Sequence, residues 1–63
     1  MLKYKYKVGQ RVKLKDTTTG VIKIREQSYI GTKDETNWYF IKIDKVKEYK
    51  IVKESEIVEV KDE

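Results

Sequence analysis

Arg11-Val12-Lys13-Leu14-Lys15-Asp16-Thr17-Thr18-Thr19-Gly20-Val21-Ile22-Lys23-Ile24-Arg25-Glu26 is the stretch whose reading decides the fold. Two runs of apolar/polar alternation flank a cluster of Asp, Thr and Gly, which is the pattern of two half-buried strands joined by a turn. Folding it symmetrically about Thr18, with a loop over Asp16–Gly20, pairs Leu14 with Ile22 and Val12 with Ile24 on one face. The other face then carries Lys15 with Val21, Lys13 with Lys23 and Arg11 with Arg25. Both strands agree on which side is the core, a consistency that a one-residue slip would destroy.

Working outward, Lys3-Tyr4-Lys5-Tyr6-Lys7 alternates as well and is broken at Val8-Gly9-Gln10, where glycine can take a positive φ. Residues 1–7 are therefore expected to be a lead-in arm or strand. On the other side, Gln27 to Asn37 has no periodicity and reads as a long loop. Within it, Thr32-Lys33-Asp34-Glu35 matches a helix capping box, but no apolar helical run follows, so at most one helical turn is expected. Trp38-Tyr39-Phe40-Ile41-Lys42-Ile43-Asp44 is the strongest strand, with Tyr39, Ile41 and Ile43 inward and Trp38, Phe40 and Lys42 outward. A polar connection over Asp44–Glu48, a short strand Tyr49–Val52, a turn Lys53–Glu56, a last strand Ile57–Val60 and a charged tail at 61–63 complete the chain. Tyr4, Tyr6 and Tyr49 are expected as half-buried packing.

Composition agrees with this reading. Val, Ile, Thr and the aromatics make up 26 of the 63 residues, and Ala, the best helix former, is absent. The expected fold class is all-β. A chain of this length holds one domain, 1–63, because it buries only roughly 60% of the surface its unfolded state exposes. The absence of Cys and His removes disulfides, Cys/His zinc sites, thiol nucleophiles and imidazole acid–base chemistry together. The longest apolar run, Trp38–Ile41, is far below the ~20 residues that span a bilayer, so the reading expects a soluble, cytoplasmic protein without membrane contact. Charge is uneven: residues 1–25 carry eight Lys/Arg against Asp16 alone, so the chain's net +4 is concentrated in its first third.

The order of short strands, with a long loop after the second and a tight turn before the fifth, resembles the SH3-like barrels. Tyr6-Lys7-Val8-Gly9-Gln10-Arg11-Val12 resembles the aromatic-x-x-Gly-Asp-x-Val opening of SH3-like and KOW-type barrels. Gly20-Val21-Ile22 resembles the start of their second strand, and Val52-Lys53-Glu54-Ser55-Glu56-Ile57 resembles the Val-x-Glu-x-Asp-Leu turn. The resemblance implies a single five-stranded SH3-like barrel with a short 3-10 turn before the last strand, of the kind small phage and plasmid proteins use. The opening is also similar to the plasmid-borne type II dihydrofolate reductases. Their Val-Gln-Ile-Tyr signature falls opposite Tyr49-Lys50-Ile51-Val52, where the Gln and the final Tyr are missing, and the reductase activity is rejected on that ground.

Three groups of residues are candidates for function. Arg11, Lys13, Lys15, Lys23 and Arg25 on the hairpin, with Lys42 on the third strand, form a basic face suited to phosphates, and also suited simply to being solvated and blocking edge aggregation. Like charges opposite each other in a ladder are unfavourable by on the order of 0.2–1 kcal/mol, so the expected Lys13–Lys23 and Arg11–Arg25 pairs want an explanation, and phosphate oxygens would supply one. Tyr29, Trp38 and Phe40 are candidates for base stacking or for a protein interface. The acids Asp34, Glu35 and Asp44 around the long loop lack the ligand spacing of a calcium site, so no metal and no cofactor are expected. Ser and Thr have no general base, so no catalytic residues are assigned and a non-enzymatic binding module is expected. The leading expectation is nucleic-acid association through the basic face. The alternative is an oligomeric interaction protein of a phage or mobile element that inhibits a host defence protein or sequesters a small ligand.

Overall fold

The computed structural model of the chain describes residues 3–61; the first two residues of the expected arm and the last two of the expected tail lie outside the described residues. Five strands form one antiparallel sheet: β1 (Arg11–Leu14), β2 (Thr19–Ser28), β3 (Thr36–Ile43), β4 (Tyr49–Lys53) and β5 (Ile57–Val60), in the order β4-β3-β2-β1-β5. A 3-10 turn, Glu54–Glu56, stands between β4 and β5, and no α-helix occurs among the described residues. The chain is all-β, as its composition implies.

The sheet cannot be flat. At about 4.8 Å per strand, the edges of five flat strands lie roughly 19 Å apart. Yet β4 ends at Lys53 and β5 begins at Ile57, and four residue steps reach at most about 14 Å even when fully extended. The sheet therefore curls until its two edges nearly meet, without a hydrogen-bonded ladder between them. The curl encloses Val12, Leu14, Ile22, Tyr39, Ile41, Val52 and Ile57, the inward set of each alternating strand. Tyr6 from the arm closes this core and meets Tyr39 edge-on at 5.6 Å, with Tyr4 edge-on to the same ring at 6.1 Å. Each fully buried side chain of this size stabilises the fold by about 1.5–3 kcal/mol relative to exposure.

The β1–β2 register differs from the symmetrical expectation. The pairs are Arg11 with Val21, Val12 with Gly20 and Lys13 with Thr19, so Lys13–Lys23, Arg11–Arg25, Val12–Ile24 and Leu14–Ile22 are not partners. The turn centres on Asp16 instead of Thr18. Leu14 N donates to Thr18 O (2.8 Å), Thr17 N to Leu14 O (2.9 Å), and the Asp16 carboxylate accepts from Thr18 N (3.0 Å), with Thr17 left-handed at φ 72. Aspartate nucleates such a turn with its own side chain. The displacement is even, so Val12, Leu14 and Ile22 still face the core.

Two further differences arise along β2 and β3. The ladder steps from Ile22–Ile41 to Ile24–Phe40, leaving Lys23 as the extra residue of a bulge. Past the bulge the faces exchange: Ile24, expected inward, is 48% exposed beside Phe40, while Arg25, expected outward, lies opposite buried Tyr39. The expected loop at Gln27–Asn37 is also shorter, because pairing continues to Ser28–Thr36. Gln27 Nε2 donates to Asn37 Oδ1 (2.9 Å), and Asn37 is buried with its amide donating to Lys3 O and Glu54 Oε2 (2.9 and 3.1 Å). Polar residues satisfied in this way carry a strand that apolar patterning does not reveal. The capping-box residues form turns only, with Thr32 Oγ1 donating to Tyr29 O and Gly31 N donating to Glu35.

Candidate functional site

At the end of the β2–β3 hairpin farthest from the Tyr29 loop, the outward side of the sheet and the Asp44–Glu48 connection border a groove of about 370 Å³. One cross-strand row, Arg11–Val21–Lys42–Tyr49, runs from β1 to β4 and supplies two of its cations. The bulge adds Lys23, because an unpaired extra residue bends the strand and re-aims its side chain. The connection adds Lys45 and Lys47. It is shaped by a left-handed Lys45 (φ 70) and closed by Ile43 N to Glu48 O (3.0 Å) and Asp44 N to Thr19 O (3.0 Å). Five cations thus border the groove with Asp44 as the one acid, a local excess equal to that of the whole chain.

Asp44 is fully engaged. Arg11 donates to both of its oxygens and Thr19 Oγ1 donates to Oδ2 (2.8 Å). The Arg11 guanidinium first, then the Thr19 hydroxyl, hold its carboxyl below the ordinary carboxylate range. Arg11 is therefore a neutralised wall of the groove. Among the described residues, no ion pair forms at Lys23, Lys42, Lys45 or Lys47. Four like charges around one depression raise each other's energy, an unfavourable arrangement that a bound anion relieves.

The other sequence candidates lie elsewhere, and the single basic hairpin face is divided. Lys13 stands opposite Thr19 on one side and Glu59 on the other, so the like-charge clash expected there does not exist. Lys15 borders a separate groove where Asp16 and Glu56 offset Lys50 and Lys53. There Lys50 and Asp16 form an ion pair that holds the Asp16 carboxyl well below, and the Lys50 ammonium above, their ordinary values. Arg25 serves the fold: Nη1 donates to Tyr6 O (3.1 Å) and its guanidinium covers the Tyr4 ring at 4.5 Å, fastening the arm. Asp34 and Glu35 sit at the opposite end of the hairpin from Asp44, so the three acids form no cluster.

Of the aromatic candidates, Tyr29 is 69% exposed but lies beyond the far end of the β2–β3 ladder, roughly 26 Å along the strand from the groove. Trp38 is half-buried, its Nε1 donating to Ser28 Oγ (2.8 Å) and its ring lying 5.7 Å from the Lys53 ammonium. Phe40 is half-buried in the row Ile24–Phe40–Ile51. Tyr49, expected as half-buried packing, is instead 58% exposed and directly paired with Lys42. The sequence reading missed Lys45, Lys47 and Tyr49. Their signal is the pairing of β3 with β4 across a short connection, which brings the loop lysines and Tyr49 beside Lys42.

In comparisons with known proteins, no family model matches the chain, and no curated protein or solved structure matches it significantly. Among the described residues, no helix is long and apolar enough to cross a membrane, and no group of three or more Asp/Glu side chains is placed to hold a metal ion.

Proposed function

We propose that the protein is a non-enzymatic, cytoplasmic binding module of SH3-like barrel type whose groove takes the phosphates of a nucleic acid. The barrel reading is supported by the curl that brings β4 and β5 together through the 3-10 turn Glu54–Glu56. The observation that carries the function is the gathering of Lys23, Lys42, Lys45 and Lys47, drawn from three parts of the chain, into one groove without an ion pair among them. Lysines on strands and loops contact phosphate oxygens as point charges without reading sequence. Four neutralised phosphates give a plot of log affinity against log salt with a slope of about −3 to −4. Fluorescence anisotropy of a labelled oligonucleotide, titrated at several salt concentrations, measures that slope. Lys23→Glu with Lys42→Glu should weaken binding by at least about tenfold and flatten the slope, since both side chains are exposed and neither supports the core. Unchanged binding in the double variant removes the reading.

A second reading, an oligomeric interaction protein of a phage or mobile element, is favoured by a different observation. Ile24 on β2 and Tyr49 and Ile51 on β4 expose apolar surface on either side of Phe40 on β3, and such patches commonly mark interfaces. A stable oligomer in analytical ultracentrifugation that dissociates on Ile51→Lys would support it over the first reading.

A further inference from the structure

The outward face of β2, β3 and β4 borders the groove, and its middle row is apolar where a sheet open to water is ordinarily polar, between a row with Lys42 and a row in which Glu26 and Lys53 flank Trp38. Its first row holds Lys42 beside Tyr49, and its second holds Ile24, Phe40 and Ile51. Ile51 and Tyr49 are 56% and 58% exposed, so the face carries an aromatic and a branched side chain that nothing among the described residues covers. Trp38 bounds it in the third row, with its indole N–H already given to Ser28 and its ring approached by Lys53.

We propose that the nucleic acid held by the groove is single-stranded, with its bases lying against this face and Tyr49 as the first stacking residue. This rests on the phosphate-binding reading above. Reading a duplex through its grooves requires hydrogen-bonding side chains aimed at base edges, and the second row, Ile24–Phe40–Ile51, has none. What it offers is contact for the flat faces of bases, which a duplex hides in its stack and a single strand leaves open. Charge complementarity fixes where the strand enters. Tyr49 is the cross-strand partner of Lys42, so a phosphate on Lys42 delivers the neighbouring base to the Tyr49 ring. Successive outward rows are about 6.6 Å apart, twice the ~3.4 Å rise per nucleotide in a duplex strand. Bases lying along them are drawn apart from one another, an arrangement open only to a single strand.

The test is anisotropy with a labelled single-stranded oligonucleotide and with its duplex at matched salt, for the unaltered protein, Tyr49→Ala and Tyr49→Phe. The single strand should bind at least about tenfold more tightly. Tyr49→Ala should weaken it by about five- to a hundredfold without changing the salt slope or duplex binding, and Tyr49→Phe, which keeps the ring, should restore it. Equal affinity for both forms with Tyr49→Ala silent overturns the single-strand inference and leaves the phosphate groove standing. Failure of both forms to bind at low salt overturns the groove reading and this inference with it. A change of sedimenting mass in Tyr49→Ala with binding unaltered also overturns it and assigns the face to a second copy of the chain.

Discussion

At the scale of single residues, Gly20 and Glu54 show how closely this small fold is constrained. Gly20 occupies a core-facing position between Val12 and Ile43, where a Cβ would stand 2.4 Å from Lys42 O and 2.7 Å from Ile41 Cγ2. Backbone cannot yield as a flexible side chain does, so Gly20→Ala should lower stability by about 1–3 kcal/mol in urea unfolding. Glu54 Oε2 accepts from the Tyr39 hydroxyl, from Lys5 N (3.0 Å) and from Asn37 Nδ2 (3.1 Å), joining the 3-10 turn, the core and the arm. Burial alone would raise this carboxyl, but the hydrogen bonds from Tyr39, Lys5 and Asn37 together leave it below its ordinary value. Burial first, then the bond to Glu54, push the Tyr39 hydroxyl up to about 12. The two shifts have opposite consequences. A depressed carboxyl contributes stability above its unfolded value, near ~4.3, and loses it as pH falls through the folded one. A raised phenol contributes stability below its unfolded value of about 10 and loses it as pH rises towards 12. Stability followed by thermal melting should therefore be flat across neutral pH and fall at both ends. Glu54→Gln should cost about 1–3 kcal/mol at neutral pH and weaken the acid limb.

At the scale of elements, the β1–β2 turn and the β2 bulge decide which charges meet. The turn moved by an even displacement, so every side chain kept its face while every cross-strand partner changed. The bulge at Lys23 did the reverse beyond it, exchanging faces so that Arg25 joined the arm and Ile24 the outward surface. Hydrophobic alternation reveals strands and their inward sides, and here it located all five strands, while the 3-10 form of the turn at Glu54–Glu56 was implied only by the resemblance to SH3-like barrels. It cannot reveal a bulge, because the extra residue satisfies the local pattern equally well on either side. It also misses strand ends built of Gln, Ser, Thr and Asn, which paired in the ladder where a loop was expected. The Asp44–Glu48 connection carries its own prediction. Asp44 is the groove's one acid, held by Arg11 and Thr19, so Asp44→Asn removes the negative charge that offsets its cations. Oligonucleotide affinity should rise severalfold and the salt slope should steepen by about 0.7–0.9, read in the same anisotropy titration.

At the scale of the whole molecule, the sheet order places β2 at the centre between β3 and β1 and puts β4 and β5 at the edges. Ile22 and Ile41 face each other fully buried between β2 and β3, and the Ile22 amide donates to Gln10 O (3.0 Å), so amides of β2 and β3 should exchange most slowly in native-state hydrogen exchange, and those of β4 and β5 much faster. Protection greater in β5 than in β2 would contradict this order of stability. The sequence by itself determined the all-β class, the strands with their inward residues except past the bulge in β2, and the exclusion of chemistry that needs Cys or His, because these follow from composition and from a period of two. Only the tertiary structure decided which lysines share a groove, which arginines are spoken for, and that Tyr49 stands open beside Lys42. Those facts depend on register, on one bulge and on the curl that joins distant segments, and none of the three leaves a mark in local alternation.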